Sequence, residues 1–459
     1  MHRHDQTTEV LTEAIVRYAI DRVRMHPPPL DHGRTLDELN QMAGRTITAD
    51  GLGGLQALRV FSDVLAPACI SVDHPRFLSF VPAAPTESSI LFDLVVGASS
   101  IYGGSWMEGS GAVFAENEAL RWIADLAGFP AGSGGVFVAG GTAGNLSALI
   151  AARFRWRHRA DPRHDRTRGL MVASGGAHSS VAQAARVMDA DVVTVPPDAE
   201  GRLRADALGA TLAALDVADR ERIFAIVATG GTTNAGVIDD LAAAADAAEA
   251  LDTWLHVDGA YGGAALSAPS VRRRFDGIER ADSLIVDPHK WLFGPFDSCA
   301  LVYREPSVAR AAHTQHAEYL EVLHTADERG VPEWNPSDYA HHLSRRARGL
   351  PLWFSLAAHG THAYTEAVET TLRVTRAGAD LLRQAAHTEL LLEPELSVLL
   401  LRRVGWHHDD YQEWSDRMLA AGESFVVPTV WQGETVLRMC IVNPLTTVDD
   451  LRAIIESLR

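Results

Sequence analysis

The 459-residue chain is poor in cysteine, in basic charge and in long apolar runs. Its three cysteines, Cys69, Cys299 and Cys440, stand far apart, form no CxxC pair and are odd in number. They are expected to be buried reduced thiols, which argues against a disulfide-stapled fold and for a cytoplasmic setting. Acidic residues outnumber basic ones and the net charge is −18. That speaks against non-specific binding to nucleic acid or to an anionic membrane, both of which need a Lys and Arg excess. No run of about 18 apolar residues occurs, so no membrane span is expected. The opening MHRHDQTTEVLTEAIV lacks the uninterrupted apolar core of a secretory leader.

Common nucleotide, metal and hydrolase signatures are missing too. GLGGLQ at 51–56 has Gln56 where a dinucleotide fingerprint needs its last glycine and follows no strand, so it is no dinucleotide loop. There is no GxxxxGK followed by Ser or Thr, no HExxH, no GxSxG and no calcium loop. The histidine pairs at 341–342 and 407–408 lie in polar stretches and are expected on a solvated surface.

What is present reads as a folded α/β protein. Hydrophobic residues make up 47% and charged residues 22%, a globular balance. The length exceeds one ordinary core, so two or three domains are expected. Residues 6–25 carry apolar side chains at helical spacing (Val10, Ala14, Ile15, Tyr18, Val23) and stop at PPP, 27–29. This helix has no evident core of its own and is expected to pack on another domain or subunit. From about residue 110, short apolar runs alternate with helical segments: GVFVAGG, LMVAS, DVVTV, IFAIVATGG, WLHVD, LIVD and CALVY. Such βα alternation means a mostly parallel, buried central sheet with helices on both faces. Ligands in such sheets sit at the carboxyl ends of the strands. After about residue 345 a long helical region leads to LSVLLLRR, SFVVPTV, TVLRMCIV and a last helix, the pattern of a smaller α+β domain. The division expected is 1–70, 71–345 and 346–459.

Chemistry-bearing residues cluster at those strand ends. In SLIVDPHKWLFGP, Lys290 follows an apolar strand between His289 and Trp291, where burial would favour the neutral, nucleophilic amine. In WLHVDGAYGG, Asp258 ends a buried strand and needs a cation, a donor or a helix N-terminus. The small Gly259 and Ala260 would let a flat ring lie against the backbone. AGGTAGN at 139–145 joins a strand to a helix, a phosphate-holding arrangement. ATGGTTN at 228–234 and GGAHSS at 175–180 are two further strand-end turns, the second carrying His178. Each alone is ordinary; a Gly-rich loop, a histidine, a Thr-rich turn, an aspartate and a lysine in that order are not.

These residues resemble the group II pyridoxal-5′-phosphate (PLP) decarboxylases, among them aromatic-L-amino-acid, glutamate and diaminobutyrate decarboxylases. The resemblance runs from HPRFLSFVP at 74–82 through HVDGAYGG and DPHKW to VLRMCIVNPLTT. It implies PLP fold type I, a homodimer with active sites at the interface, and an N-terminal segment that embraces the partner. It implies that Lys290 carries the cofactor as a Schiff base, that Asp258 pairs with the ring nitrogen, and that His178 and Ala260 bracket the ring. Gly141, Thr142, Thr233 and His289 should surround the phosphate. Phe80 and Trp106 should line the substrate pocket, and Arg438 should meet the substrate α-carboxylate. The family also has a mobile loop with a tyrosine 29 positions after the lysine, which here is Tyr319. With His178 it should return a proton to the α-carbon.

Two departures stand out. Asp287 replaces the family's usual asparagine before Pro288, and YGGSWMEGSG brings glycines and Glu108 where aromatic decarboxylases carry bulkier residues. The aromatic set Phe77, Phe80, Tyr102 and Trp106 points to an aromatic or bulky apolar amino acid as the small-molecule substrate. Glu108 keeps a basic one, such as diaminobutyrate or histidine, in view, and the family relationship keeps glutamate. Transamination or aldehyde formation on the same cofactor is the other outcome such a site can give.

Overall fold

A computed structural model describes residues 2, 4–159, 167–323 and 333–459. Seven strands form the central sheet: β1 (Gly134–Val138), β2 (Leu170–Ser174), β3 (Asp191–Val195), β4 (Ile223–Thr229), β5 (Trp254–Asp258), β6 (Ser283–Val286) and β7 (Cys299–Tyr303). Their order is β1-β7-β6-β5-β4-β2-β3. The β2–β3, β2–β4, β4–β5 and β5–β6 pairs are parallel, while β7 runs antiparallel to both its neighbours. The expected mostly parallel sheet is therefore present, with one reversed strand.

Alternate residues of each strand enter opposite cores, as the pleat demands. Ile226, Ala228, Leu255, Val257, Leu284 and Val286 join the core beneath the Trp106–Ala127 and Leu241–Ala250 helices. Ala225, Val227, Trp254, Ile285 and Leu301 join the core beneath the Gly141–Arg157 and Ser179–Met188 helices. Both faces are covered, which is why the strands read as continuous apolar runs. The Gly141–Arg157 helix presses onto the sheet at Gly144, where a Cβ would stand 2.8 Å from Ile285 Cγ2.

A second sheet holds β8 (Thr388–Leu390), β9 (Val398–Arg403), β10 (Pro428–Trp431) and β11 (Glu434–Cys440) in the antiparallel order β10-β11-β9-β8. Its core gathers Leu399, Leu401, Met439, Trp414 and Leu451. At the other end of the chain, the helices Gln6–Val23, Leu36–Ala43 and Gly54–Val60 bury no residue. Cys299 and Cys440 are buried, but Cys69 is exposed, since the segment that carries it has no core around it. The Trp106–Ala127 helix starts earlier than its apolar periodicity implies. Ser105 caps it, and the chain kinks at Gly109, where a Cβ would stand 2.5 Å from the Tyr102 carbonyl oxygen. Among the described residues no helix is long and apolar enough to cross a membrane.

Candidate active site

The carboxyl ends of β1, β2, β4, β5 and β6 open on one cavity of about 510 Å³. That volume suits a small organic ligand. Eight of the residues singled out from the sequence line it: Gly141, Thr142, His178, Thr233, Asp258, Ala260, His289 and Lys290. A cavity of about 1020 Å³ near Arg22, His26 and Asp73 is larger but receives none of these strand-end groups.

Asp258 is buried at the end of β5. Its Oδ1 accepts from the Ala260 N–H at 3.1 Å and its Oδ2 from Asn145 Nδ2 at 2.8 Å. Two donors thus meet the desolvation cost that a lone buried carboxylate would carry.

Lys290 Nζ lies 2.9 Å from Asp287 Oδ2. Burial pushes the amine down, but the Asp287 charge outweighs it and holds Lys290 above the ordinary lysine value. The neutral amine expected from burial alone is thus corrected by a neighbour that a strand-end reading does not weigh. The structure also accounts for the aspartate: it is the buried counter-ion of Lys290. Its Oδ1 finds no nitrogen or oxygen partner among the described residues. The adjacent Cys299 thiol is pushed up, first by its own burial and then by the Asp287 charge.

A prediction follows from the sign of this pair. In Asp287→Asn the favourable charge is lost and the burial penalty remains, so the Lys290 ammonium should lose its proton at lower pH. Labelling of Lys290 by an amine reagent in cofactor-free protein should then reach half its maximal rate at least about one pH unit lower, the size of effect a close opposite charge exerts. An unshifted midpoint would show that Asp287 does not set the charge of Lys290.

The residues present fit PLP. The Gly141–Arg157 helix starts at Gly140 with no side-chain cap, leaving first-turn N–H groups available to an anion. A Cβ on Gly141 would crowd Ala260 Cβ at 3.3 Å and Asp287 Oδ2 at 3.1 Å, so glycine keeps this floor open. Gly231, at φ +115°, turns the chain after β4 in a conformation L side chains rarely adopt. An amine, a carboxylate and an anion-receiving helix end face one space.

Four other candidates lie outside the cavity lining. Arg438 is buried and donates from Nη1 to the Phe80 carbonyl. Its Nε and Nη2 lack oxygen or nitrogen partners among the described residues. Phe80 is 62% exposed at φ +53°. Trp106 opens its helix, with its N–H donating to Asn335 Oδ1 at 2.9 Å. Tyr319 is 72% exposed, close enough to Tyr102 to act on its hydroxyl, which burial chiefly and Glu108 next push up. The loop expected around Tyr319 runs outside the described residues from 324 to 332. The Glu108 carboxylate accepts from Ser105 Oγ at 2.8 Å, which spends it on the helix start.

Sequence reasoning missed Asn145, Ser180, Phe296, Asp297 and His341 as lining residues. His341 is exposed, as expected, and it also reaches the cavity rim, with Nδ1 3.0 Å from Ser147 Oγ. Its polar neighbours conceal the fold-back onto the Gly141–Arg157 helix.

The chain is similar in sequence and in fold to known proteins. An aromatic-L-amino-acid decarboxylase of Bacillus atrophaeus is 29% identical over 398 residues, covering 84% of this chain and 81% of the relative. An L-2,4-diaminobutyrate decarboxylase of Rhizobium meliloti (strain 1021) is 30% identical over 396 residues, 84% and 78% of the two chains. The crystal structure of Oryza sativa TDC with PLP and tryptamine superposes with a TM-score of 0.90 at 23% identity, over 100% of this chain and 98% of that one. The family model described as the pyridoxal-dependent decarboxylase conserved domain matches residues 53–403, most of the chain. The chain belongs to the pyridoxal-dependent decarboxylases.

Proposed function

We propose that the enzyme decarboxylates an L-amino acid with an aromatic or bulky apolar side chain, releasing the amine and carbon dioxide. The observation that carries this choice is that every carboxylate facing the cavity is already engaged. Asp258 is held by Asn145 and Ala260, Asp287 by Lys290, and Asp297 by Arg348 at 2.9 Å. Beside them the cavity presents the apolar surfaces of Leu146, Tyr261 and Phe296. Asp287 Oδ1 has no nitrogen or oxygen partner among the described residues, but it is buried beside Lys290, so a basic side chain reaching it would compete with that lysine. The second reading, a basic substrate, draws support from the diaminobutyrate-decarboxylating relative. It requires Asp297 to leave Arg348, and the Asp297 side chain is 46% exposed and so the freest of the three.

In this reading Lys290 would hold the cofactor through its amine. Bound PLP supplies the electron sink for the pair left behind by the departing carboxylate. Asp258 would keep the ring nitrogen protonated, His178 and Ala260 would bracket the ring, and Gly141, Thr142, Thr233 and His289 would receive the phosphate. Arg438 would meet the α-carboxylate, with Phe80 and Trp106 beside the side chain. Tyr319 delivers the proton to the α-carbon.

The working unit in this proposal is a homodimer. The exposed Val10, Ile15, Leu36, Ile47 and Phe61 of the N-terminal segment support it, since such an apolar set marks a protein-protein contact. The reduced, widely spaced cysteines suit a cytoplasmic enzyme.

The test of substrate class is a comparison of kcat/KM for tryptophan, tyrosine and phenylalanine with that for diaminobutyrate, histidine and glutamate. The aromatic set should lead by at least about tenfold, within the range one pocket's apolar fit provides. A lead for diaminobutyrate would move the assignment to the second reading.

A further inference from the structure

A hydrogen-bond chain runs behind the cavity, and its direction can be assigned from its ends. At one end the Trp254 indole N–H can only donate, and it donates to Ser283 Oγ at 2.7 Å. Ser283 Oγ, accepting there, can still donate its own proton to His256 Nδ1, 2.8 Å away. His256 is fully buried, and burial pushes it down to about 4, so it is neutral with one ring proton. With Nδ1 accepting, that proton is on Nε2 and goes to Asn145 Oδ1 at 2.7 Å. The amide of Asn145 is thereby oriented. Its two Nδ2 protons go to Asp258 Oδ2 and Ser180 Oγ, both at 2.8 Å.

The other end gives the same direction independently. The Ser180 backbone N–H, another obligate donor, points at His178 Nδ1 at 3.2 Å. Nδ1 therefore accepts, and it accepts from the Ser180 hydroxyl as well, at 2.8 Å. Ser180 Oγ is then free to accept from Asn145, as the first end requires. A flipped Asn145 amide would aim its carbonyl at the Asp258 carboxylate and leave His256 without an acceptor. Asn145 and Ser180 are buried, so no water competes for these bonds.

We propose that Asn145 is a positioning residue that sets two groups of the site together: it holds Asp258 for the cofactor ring nitrogen and, through Ser180, holds His178 with its proton on Nε2, toward the cavity. This rests on the roles proposed above for Asp258 and His178. Asn145 also lines the cavity, and in this proposal it acts through both neighbours. It also ties them to His256, Ser283 and Trp254, which lie in the sheet itself and cannot rotate away.

The test uses holoenzyme reconstituted with ring-15N PLP. In wild-type enzyme the ring nitrogen should resonate as protonated, and histidine 15N spectra should place the proton of both His256 and His178 on Nε2. A proton on Nδ1 of either histidine, with Nε2 bare, would break the chain and overturn the proposal without any variant. In Asn145→Ser the ring-nitrogen signal should move toward the unprotonated position. Its kcat should fall at least about tenfold with KM within about threefold, the pattern of lost transition-state stabilisation. In Ser180→Ala the ring nitrogen should stay protonated while kcat falls, and adding it to Asn145→Ser should cost little more, because the two cut one chain. An Asn145→Ser enzyme with a protonated ring nitrogen and wild-type kcat, or single effects that multiply in the double variant, would also overturn it. A wild-type enzyme whose ring nitrogen is unprotonated would instead contradict the role given to Asp258, whatever the histidines show.

Discussion

Lys290→Ala should lower turnover at least about a thousandfold, about 4 kcal/mol of barrier, and should abolish the visible absorbance of lysine-bound cofactor. The structure adds a second effect that must be separated from the first. Lys290 is the counter-ion of Asp287, whose side chain is 2% exposed. Removing one partner of a buried pair leaves an uncompensated charge and costs roughly 3–5 kcal/mol of stability. The single variant should therefore melt early as well as fail to turn over. Lys290→Ala with Asp287→Asn removes both charges and should recover much of the melting temperature while staying inactive. Recovery of stability without activity assigns the chemistry to the lysine and the stability loss to the broken pair. A stable single variant that keeps the absorbance would show that another amine holds PLP.

Tyr319→Phe should change what the enzyme makes. If Tyr319 is the acid that protonates the α-carbon, its removal leaves carbon dioxide release possible and amine formation blocked. Positioned general acids contribute roughly 10²–10⁴-fold, so amine output should drop about a hundredfold. The electron pair then passes to dioxygen. The products become aldehyde, ammonia, carbon dioxide and hydrogen peroxide, from one amino acid, one dioxygen and one water. Binding should change little, because the ring and the pocket remain. The 72% exposure of Tyr319, beside Tyr102 rather than in the Lys290 cavity, means that it must move or serve the partner's site to act. Amine as the main product of Tyr319→Phe would reduce the tyrosine to a loop packing residue.

The strand-end chemistry was legible because each group sits on its own short apolar run. Asp258 closes WLHVD and Lys290 follows LIVD, so a βα reading alone brings them to one edge. The reversal of β7 was not legible, since CALVY is as apolar as its parallel neighbours and buried strands carry no mark of direction. Asn145 was visible only as the end of a glycine loop. Its partners His256 and Asp258 lie 111 and 113 positions away, and no local pattern records a contact of that range. Asp287 was recognised as a departure but not as the counter-ion of Lys290, because the three-residue spacing becomes a 2.9 Å contact only in the turn after β6. Arg438 and Phe80 were read separately, yet the guanidinium in β11 holds the Phe80 carbonyl, 358 positions away in the chain.

The central claim is decarboxylation at the Lys290 cavity, and the most direct measurement of it is product stoichiometry. PLP-loaded enzyme is incubated with a panel of L-amino acids, and carbon dioxide, amine, keto acid and aldehyde are quantified together. The account predicts carbon dioxide and amine in a one-to-one ratio from at least one amino acid, and neither product from Lys290→Ala. Keto acid without carbon dioxide, or aldehyde with hydrogen peroxide from the wild-type enzyme, would contradict it.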